Sequence, residues 1–206
     1  MKMNEFSQLL ENLLITTSKK KKINLIVNFL HESNLSTKSW ALTILTNSIK
    51  NKNIYYTDLK KLIKKKIPEQ LFDYSYDYVG DLAETISLLW PTQHSNYSFS
   101  LDLFMQDFYF SNDKNYLINK LEVIFDRSGP SIIFAIIKIL TGNFRVGVSK
   151  GLIRESLIKY GSRSPDEIDE YWHGFTQPFK DFFKWLEGGE LPKNIKKEKK
   201  TAKTQT

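Results

Sequence analysis

The residues best suited to chemistry lie in segment 140–150, which reads Leu-Thr-Gly-Asn-Phe-Arg-Val-Gly-Val-Ser-Lys. Gly142 and Gly147 flank Arg145, and a predicted helix follows directly. Glycine allows a backbone to approach a ligand closely, and the free amides at a helix start can donate to an anion. Because the segment joins two predicted helices, it has the pattern of a helix–hairpin–helix-like turn that grips phosphate, with Arg145 and Lys150 supplying positive charge. The alternative is an ordinary turn between helices, in which glycine supplies a positive φ angle.

The sequence gives no complete pattern for metal binding, phosphate-loop binding or nucleophilic catalysis. The chain has no cysteine, and its histidines stand alone, without the HExxH or similar spacing of metal ligands. No GxxxxGK[ST] or GxGxxG segment occurs. Residues 147–151 (Gly-Val-Ser-Lys-Gly) have GxSxG spacing, but no serine–histidine pairing suggests a nucleophile. We therefore expect His31, His94 and His173 to be surface or helix-packing residues, and we expect no metal site.

Three carboxylates lie close together in the sequence: Asp77, Asp81 and Glu84. Two of them are three residues apart, on one face of a helix, where a carboxylate pair could carry out acid–base chemistry. The commoner role of such residues is to cap a helix start and to bind a nearby lysine or arginine. From the residues alone, the chain is predicted not to be an enzyme.

The composition indicates a folded domain with an acidic partner. The chain has 206 residues, of which 41% are hydrophobic and 14% aromatic, enough for a substantial core. Its 30 lysines and arginines exceed its 23 acidic residues, so its formal charge is +7, which suits nucleic acid or another acidic surface. Residues 1–14 lack the pattern of a signal peptide, and the apolar run 132–140 is too short to cross a bilayer. We therefore expect a cytoplasmic protein with no membrane partner.

Helical periodicity predicts an all-α fold, a compact multi-helix domain. Apolar residues recur at three- and four-residue steps along most of the chain. The third helix is predicted to start near Ser36 or Thr37, and a single helix is predicted through residues 79–89. Later helix starts are predicted at Ser149 and at Ser164, where Ser-Pro-Asp-Glu has the capping-box pattern.

Several segments together resemble one known family. Residues 141–149 resemble the G-x-[LF]-R-[IVL]-G-[LV] signature in the N-terminal DNA-binding domain of ATP-dependent DNA ligases. Residues 75–85 resemble the GDL[AG]E block of that domain, in the same order and at a similar spacing. Residues 40–42 (Trp-Ala-Leu) and 171–174 (Tyr-Trp-His-Gly) resemble the bacterial branch of these ligases. The resemblance covers roughly residues 1–187.

The resemblance implies a module rather than a complete ligase. A family member would continue into a nucleotidyltransferase domain, whose catalytic lysine lies in a K-x-D-G motif, and then into an OB-fold domain. No Lys-x-Asp-Gly occurs in this sequence, so the chain alone is not expected to form a lysyl-adenylate. We expect no cofactor here, because ATP and magnesium would belong to the missing catalytic domain. The chain would be an excised domain, a truncated product or one part of a split ligase with a separate catalytic chain.

The resemblance also implies which residues contact DNA. By their positions in the motif, these are Gly142, Asn143, Arg145, Gly147 and Ser149. The glycines and Ser149 would offer backbone amides to phosphate, and Arg145 would reach the backbone or minor groove of a duplex at a nick. Many family members carry a basic residue where Asn143 stands, and Lys150 is expected to compensate. Such contacts position a duplex without reading its sequence, as repair, replication or recombination requires.

The remaining positive charge lies in lysine runs and in the C-terminal segment. The runs at residues 19–22, 60–61 and 64–66 either extend the DNA-binding surface or form solvated helix faces. Residues 188–206 are predicted to be a disordered basic tail or linker, because they cannot bury apolar area. The alternative function is a helical protein-interaction module whose basic surface meets an acidic protein.

Overall fold

The computed structural model describes residues 2–49, 54–92, 97–142 and 146–195. Asn143, Arg145 and His94 therefore lie outside the described residues, as does the C-terminal segment beyond Ile195. Within the described ranges the chain is helical and contains no strand, only an isolated bridge between Lys2 and Ser100. The prediction of an all-α fold is confirmed.

The described ranges contain twelve α-helices and one short 3₁₀ turn. In chain order they are α1 (Met3–Ile15), α2 (Lys19–Glu32), α3 (Leu35–Leu45), α4 (Tyr56–Lys64), α5 (Glu69–Val79), α6 (Leu82–Leu89), α7 (Leu101–Phe110), α8 (Lys114–Arg127), α9 (Pro130–Thr141), α10 (Lys150–Tyr160), α11 (Pro165–Tyr171), the 3₁₀ turn Trp172–Gly174 and α12 (Lys180–Leu186). No helix in the part of the chain that the structure describes is long and apolar enough to cross a membrane.

Helix α9 lies at the centre of the core. Its residues Ile133, Ala135, Ile136 and Ile137 are all completely buried, and it packs against α1 on one side and α6 on the other. Helices α2 and α10 pack together, and α3 packs against α7 and α12. This arrangement buries both helices that flank the 142–149 segment and fixes where they end and begin.

The third helix is confirmed, but the prediction of Ser36 or Thr37 as its cap is wrong by two or three residues, because the cap is Asn34. Helix α3 begins at Leu35, because the Asn34 side chain accepts a hydrogen bond from the Thr37 N–H at 2.8 Å. The hydroxyl of Thr37 donates instead to Asp102 on α7. Asparagine caps helices as well as serine does, so Asn34, Ser36 and Thr37 are all possible caps by residue type. Thr37 does not cap the helix, because its hydroxyl is bonded to Asp102.

The helix predicted through residues 79–89 is confirmed from Leu82 to Leu89, but its predicted start is wrong, because Val79 is the last residue of α5. Gly80 adopts a left-handed conformation with φ of 74°, which ends α5. Asp81 then starts α6, its side chain accepting from the Glu84 N–H at 3.0 Å. The apolar pattern continues across the break, which is why periodicity alone did not reveal it.

Two helix starts predicted from local sequence are confirmed. The Ser149 hydroxyl accepts from the Leu152 N–H at 3.2 Å and caps α10. At α11, the Ser164 N–H donates to Glu167 at 2.9 Å, and the serine hydroxyl accepts from the Glu167 N–H at 3.3 Å. This reciprocal pair is the capping box that the sequence predicted.

A buried polar cluster joins the end of α12 to the body of the protein. Lys38, buried on α3, donates to the Tyr160 hydroxyl at 2.8 Å and also binds Glu187. Burial alone would lower the pKa of Lys38, but its hydrogen bonds to Glu187 and Tyr160 outweigh burial and raise that pKa. Beyond this cluster, Leu191 and Ile195 are half-buried against the core, and the domain boundary at residue 187 stays a prediction.

Candidate nucleic-acid interface

The two glycines of the 142–149 segment both adopt left-handed backbone conformations. Gly142 ends α9 with φ of 65°, and Gly147 has φ of 66°. Glycine is the residue that adopts such angles without strain. The positive φ angles alone therefore account for glycine at both positions, as the interpretation as an ordinary turn requires. Phosphate binding by this turn stays a prediction.

The end of the segment is anchored and leads directly into α10. Val146 is 1% exposed and belongs to the hydrophobic core, whereas Ser149 and Lys150 are exposed. Lys150 is the first residue of α10. Among the site residues predicted from sequence, Gly147, Ser149 and Lys150 are therefore brought together at one helix start.

A lysine from α2 holds the carbonyl of Gly147. The Lys22 ammonium group donates to this oxygen at 2.8 Å, and the Lys22 side chain is almost completely buried. A Cβ atom at Gly147 would lie 2.6 Å from the Lys22 amine, so a side chain there would displace Lys22 from this carbonyl, in addition to the strain from φ. Sequence analysis missed this contact, because the two residues are 125 positions apart and no local pattern links them.

Helices α2 and α10 run in the same direction, so they begin at the same end of the pair. Lys19, in the first turn of α2, forms an ion pair with Glu155 in the middle of α10 at 2.6 Å. At the far ends of both helices, the rings of His31 and Tyr160 lie 4.7 Å apart. The Lys22 contact with Gly147 brings the first turn of α2 to the segment that leads into α10. Each helix start carries a partial positive charge from aligned peptide dipoles.

Lysines add to the positive charge at these two starts. Residues 19–22 form the first turn of α2, which contains no acidic residue. Lys20, Lys21 and Lys150 are exposed and form no ion pair with any residue in the described ranges. We call Lys20, Lys21, Gly147, Ser149 and Lys150 the helix-start surface. The lysines of this surface lie at helix N-termini, where a negative charge stabilises a helix and a positive charge does not.

The Asp81 carboxylate has a structural role that also bears on this surface. One of its oxygens caps α6, and the other binds Lys138, which is buried on α9 one turn before Gly142. Burial alone would raise the pKa of Asp81, but the hydrogen bond from Lys138 and those from backbone amides outweigh it and lower the pKa. The expected role of capping a helix and pairing with a lysine is confirmed for Asp81.

Four of the five lysines on α4 and just after it, Lys60, Lys64, Lys65 and Lys66, are paired with acidic groups. Lys64 binds Glu69, and Lys66 binds Asp126 at 3.0 Å and Glu122 at 3.3 Å. Two further pairs are Lys60 with Asp73 at 3.5 Å and Lys65 with Glu122 at 3.6 Å. These contacts fit the interpretation of the lysine runs 60–61 and 64–66 as a solvated helix face.

The remaining candidate residues have packing roles. Trp185 is buried, and the Trp172 ring stacks on Phe182 with centroids 6.0 Å apart. Within the described ranges, no group of three or more histidine, cysteine, aspartate or glutamate side chains is placed to hold a metal ion.

Comparison with known proteins does not assign this chain to a family. The chain matches no family model and no curated protein. The likeness to ligase DNA-binding domains therefore rests on the sequence motifs given above.

Proposed function

We propose that this chain is the DNA-binding module of an ATP-dependent DNA ligase, which grips duplex or nicked DNA with little sequence preference. The observation that carries the proposal is the helix-start surface, where two parallel helices begin side by side and present exposed lysines without acidic partners among the described residues. The catalytic portion, with its ATP and magnesium, would be supplied elsewhere.

Phosphate is the chemical group that best fits this surface. The first backbone N–H groups of a helix have no acceptor within the helix. At α10 the Ser149 side chain takes up the Leu152 N–H, which leaves the N–H groups of Lys150 and Gly151 without an acceptor in their own helix. Lys150 adds positive charge at these donors, and Lys20 and Lys21 add exposed positive charge in the first turn of the neighbouring helix α2. Backbone phosphates repeat along DNA regardless of sequence, so contacts of this type position a duplex without reading it.

Within this proposal, the buried residues around the segment act as supports. Lys22 fixes the carbonyl of Gly147, and Asp81 fixes α9 through Lys138. Arg145 lies between these two supported ends in the sequence, and the ligase resemblance gives it a contact with the DNA backbone or minor groove. Gly142 and Asn143 would contribute backbone contacts in the same way.

A second candidate function is supported by α5. Leu71, Tyr74 and Tyr78 recur at positions that share one face of this helix, and they are 49%, 76% and 93% exposed. An exposed apolar stripe of this kind is typical of a protein-binding surface. The chain would then be a helical protein-interaction module, whose partner is an acidic protein that also contacts the exposed lysines.

The test is a titration of the chain against a nicked duplex at several salt concentrations, followed by fluorescence anisotropy. If phosphates are bound, log K should fall linearly with log salt, by about 0.9 for each phosphate neutralised. Arg145→Ala should weaken binding by about 1–3 kcal/mol and make the slope shallower by about one contact, with helicity unchanged by circular dichroism.

Two results would count against this proposal. Binding that does not depend on salt would exclude phosphate contacts. If Arg145→Ala lowers the melting temperature by several degrees while the folded protein still binds DNA normally, Arg145 is a structural residue. An acidic protein that binds in place of DNA, and whose binding is abolished by Tyr74→Ser, would favour the interaction module.

A further inference from the structure

A cavity of about 350 Å³ lies beside the helix-start surface and shares Lys150 with it. Its walls come from the end of α3, the first turn of α10, and the stretch between α11 and α12. The volume is within the range of small-molecule sites. Neither the sequence motifs nor the proposed phosphate contacts account for this cavity.

The floor of the cavity is aromatic and held in place by packing. Phe175 and Phe179 line it and are 7% and 5% exposed. Trp172 also lines it, and its ring stacks on the fully buried Phe182. Phe175 and Phe179 expose little area, so the half-buried Trp172 ring offers the surface on which a planar group can stack. Because this ring is already immobilised by packing, stacking on it costs little entropy.

The rim on α10 is polar and carries positive charge. Arg154 lines the cavity and makes two hydrogen bonds to Asp169, at 2.5 and 2.6 Å, so its charge is balanced. Lys150 has no acidic partner in the described ranges. Gly151 lies between them, and a Cβ atom built there would meet only the Ser149 hydroxyl, at 3.9 Å. The cavity therefore opens toward one unpaired cation and the amides of a helix start.

Polar side chains also line the cavity away from α10. They belong to Gln177, Thr46 and Ser48. Amide and hydroxyl groups can both donate and accept hydrogen bonds, so this wall suits a ligand with a hydrogen-bonding edge.

We propose that this cavity binds one nucleotide unit. Its base stacks on the aromatic floor, its hydrogen-bonding edge faces Gln177, and its 5′-phosphate lies at Lys150 and the start of α10. The ligand would be an unpaired nucleotide of a DNA strand that is held at the helix-start surface. In this respect the proposal rests on the proposed function. A free nucleoside 5′-monophosphate has the same chemistry and is the second source to be distinguished.

Substitution at Gly151 tests the cavity directly. Gly151→Leu places a bulky side chain in the cavity mouth, whereas Gly151→Ala is the matched control that leaves most of the space open. In calorimetric titrations with deoxyadenosine 5′-monophosphate, Gly151→Leu should lower the affinity about tenfold or more, and Gly151→Ala by less than about twofold. Equal affinity of the wild type and Gly151→Leu, or no binding to the wild type, would overturn the proposal. Thermal melting verifies that both variants fold.

Competing ligands and a second variant sharpen this result. Deoxyadenosine should compete with the nucleotide, because the base contributes to binding. If inorganic phosphate competes fully and deoxyadenosine does not, the site binds only phosphate and the proposal is wrong. Gln177→Leu should weaken nucleotide binding without lowering the melting temperature, because it removes an amide group that lines the cavity. Displacement of the nucleotide by an acidic peptide that binds more tightly would identify a peptide site instead.

Two DNA probes separate this proposal from the proposed function. Gln177→Leu changes the cavity at a residue outside the helix-start surface. It should leave the affinity and salt slope for a fully paired duplex unchanged, and should weaken binding only to a duplex with an unpaired terminal nucleotide. If no duplex binds but the mononucleotide result holds, the cavity is a site for free nucleotides and the proposed function fails. If the duplex binds and Gln177→Leu affects neither DNA probe nor the mononucleotide, the cavity proposal alone fails.

Discussion

The lysines at the start of α2 and those along α4 are similar in sequence but differ in position and partners. Along α4, Lys61 and Lys64 lie in the last turn, where positive charge is favourable, and Lys64, Lys65 and Lys66 all bind carboxylates. At α2 the lysines occupy the first turn, where positive charge is unfavourable by about 0.3–1 kcal/mol each. There, Lys20 and Lys21 have no acidic partner among the described residues.

This difference shows that the role of a lysine run depends on its position in the helix and on the charges beside it. The α4 lysines balance local negative charge and stabilise the end of their helix. On α2, Lys19 pairs with Glu155, but Lys20 and Lys21 have neither role among the described residues, and the proposed function gives them a role through contact with phosphate. A comparison of matched lysine variants can therefore separate structural charge from binding charge.

The largest expected effect on stability concerns a third kind of lysine, one that is buried and paired. Asp81→Asn keeps a side chain that can cap α6 but removes the negative charge that faces Lys138. The free energy of unfolding should fall by about 2 kcal/mol, the contribution of a charged hydrogen bond. Urea denaturation measures it, with Asp77→Asn as the control at an exposed position. An equal change in both variants would show that the ion pair does not stabilise the fold.

The same ion pair sets an expected pH dependence. Because the pKa of Asp81 is lowered in the folded state, its contribution to stability is present above the unfolded value of about 3.9. The contribution disappears as the pH falls through the lower folded pKa. The difference in stability between the wild type and Asp81→Asn should therefore shrink below about pH 3.9.

The next effect concerns DNA affinity and the comparison itself. Replacing Lys20 and Lys21 together with glutamine should weaken duplex binding roughly tenfold and reduce the salt slope by about 0.9 for each phosphate that is no longer neutralised. Replacing Lys64 and Lys65 with glutamine removes the same charge and should change affinity by less than about twofold. If both pairs weaken binding equally, net charge alone governs the interaction and the helix-start surface has no special role.

The smallest effect is on stability and has opposite signs in the two regions. The Lys20 and Lys21 double variant should be more stable than the wild type by a few tenths of a kcal/mol or more, because unfavourable charge leaves a helix start. The Lys64 and Lys65 double variant should be less stable by less than about 1 kcal/mol, since exposed ion pairs contribute little. Melting curves at low salt measure both, and high salt should bring the two variants together.

Local signals in the sequence predicted the parts of the fold that depend on local contacts. Ser149 and Ser164 cap helices through hydrogen bonds to residues three positions away, and both starts were predicted. The break at Gly80 was missed, because the apolar spacing continues through it and the glycine conformation is not encoded by periodicity. Gly147 was predicted as a site residue, but its contact with Lys22 depends on how α2 packs beside α10.

For the candidate site, the sequence could identify residue types but not their partners. Lysine runs on α2 and α4 gave the same two interpretations, and only the positions of distant carboxylates such as Glu122 and Asp126 distinguish them. The cavity at Lys150 was not predicted either. Its walls come from three separate stretches of the chain, and the position of Gln177 in them has no sequence signal.

The bond between Lys22 and Gly147 has a mechanical consequence. It ties Gly147 to α2, which packs against α1 and α10, and α1 packs against α9. A load applied at Gly147 is therefore passed to α2 and its neighbouring helices rather than to a single turn. If the proposed function holds, this bracing reduces the interaction energy that is spent on ordering Gly147 when DNA binds.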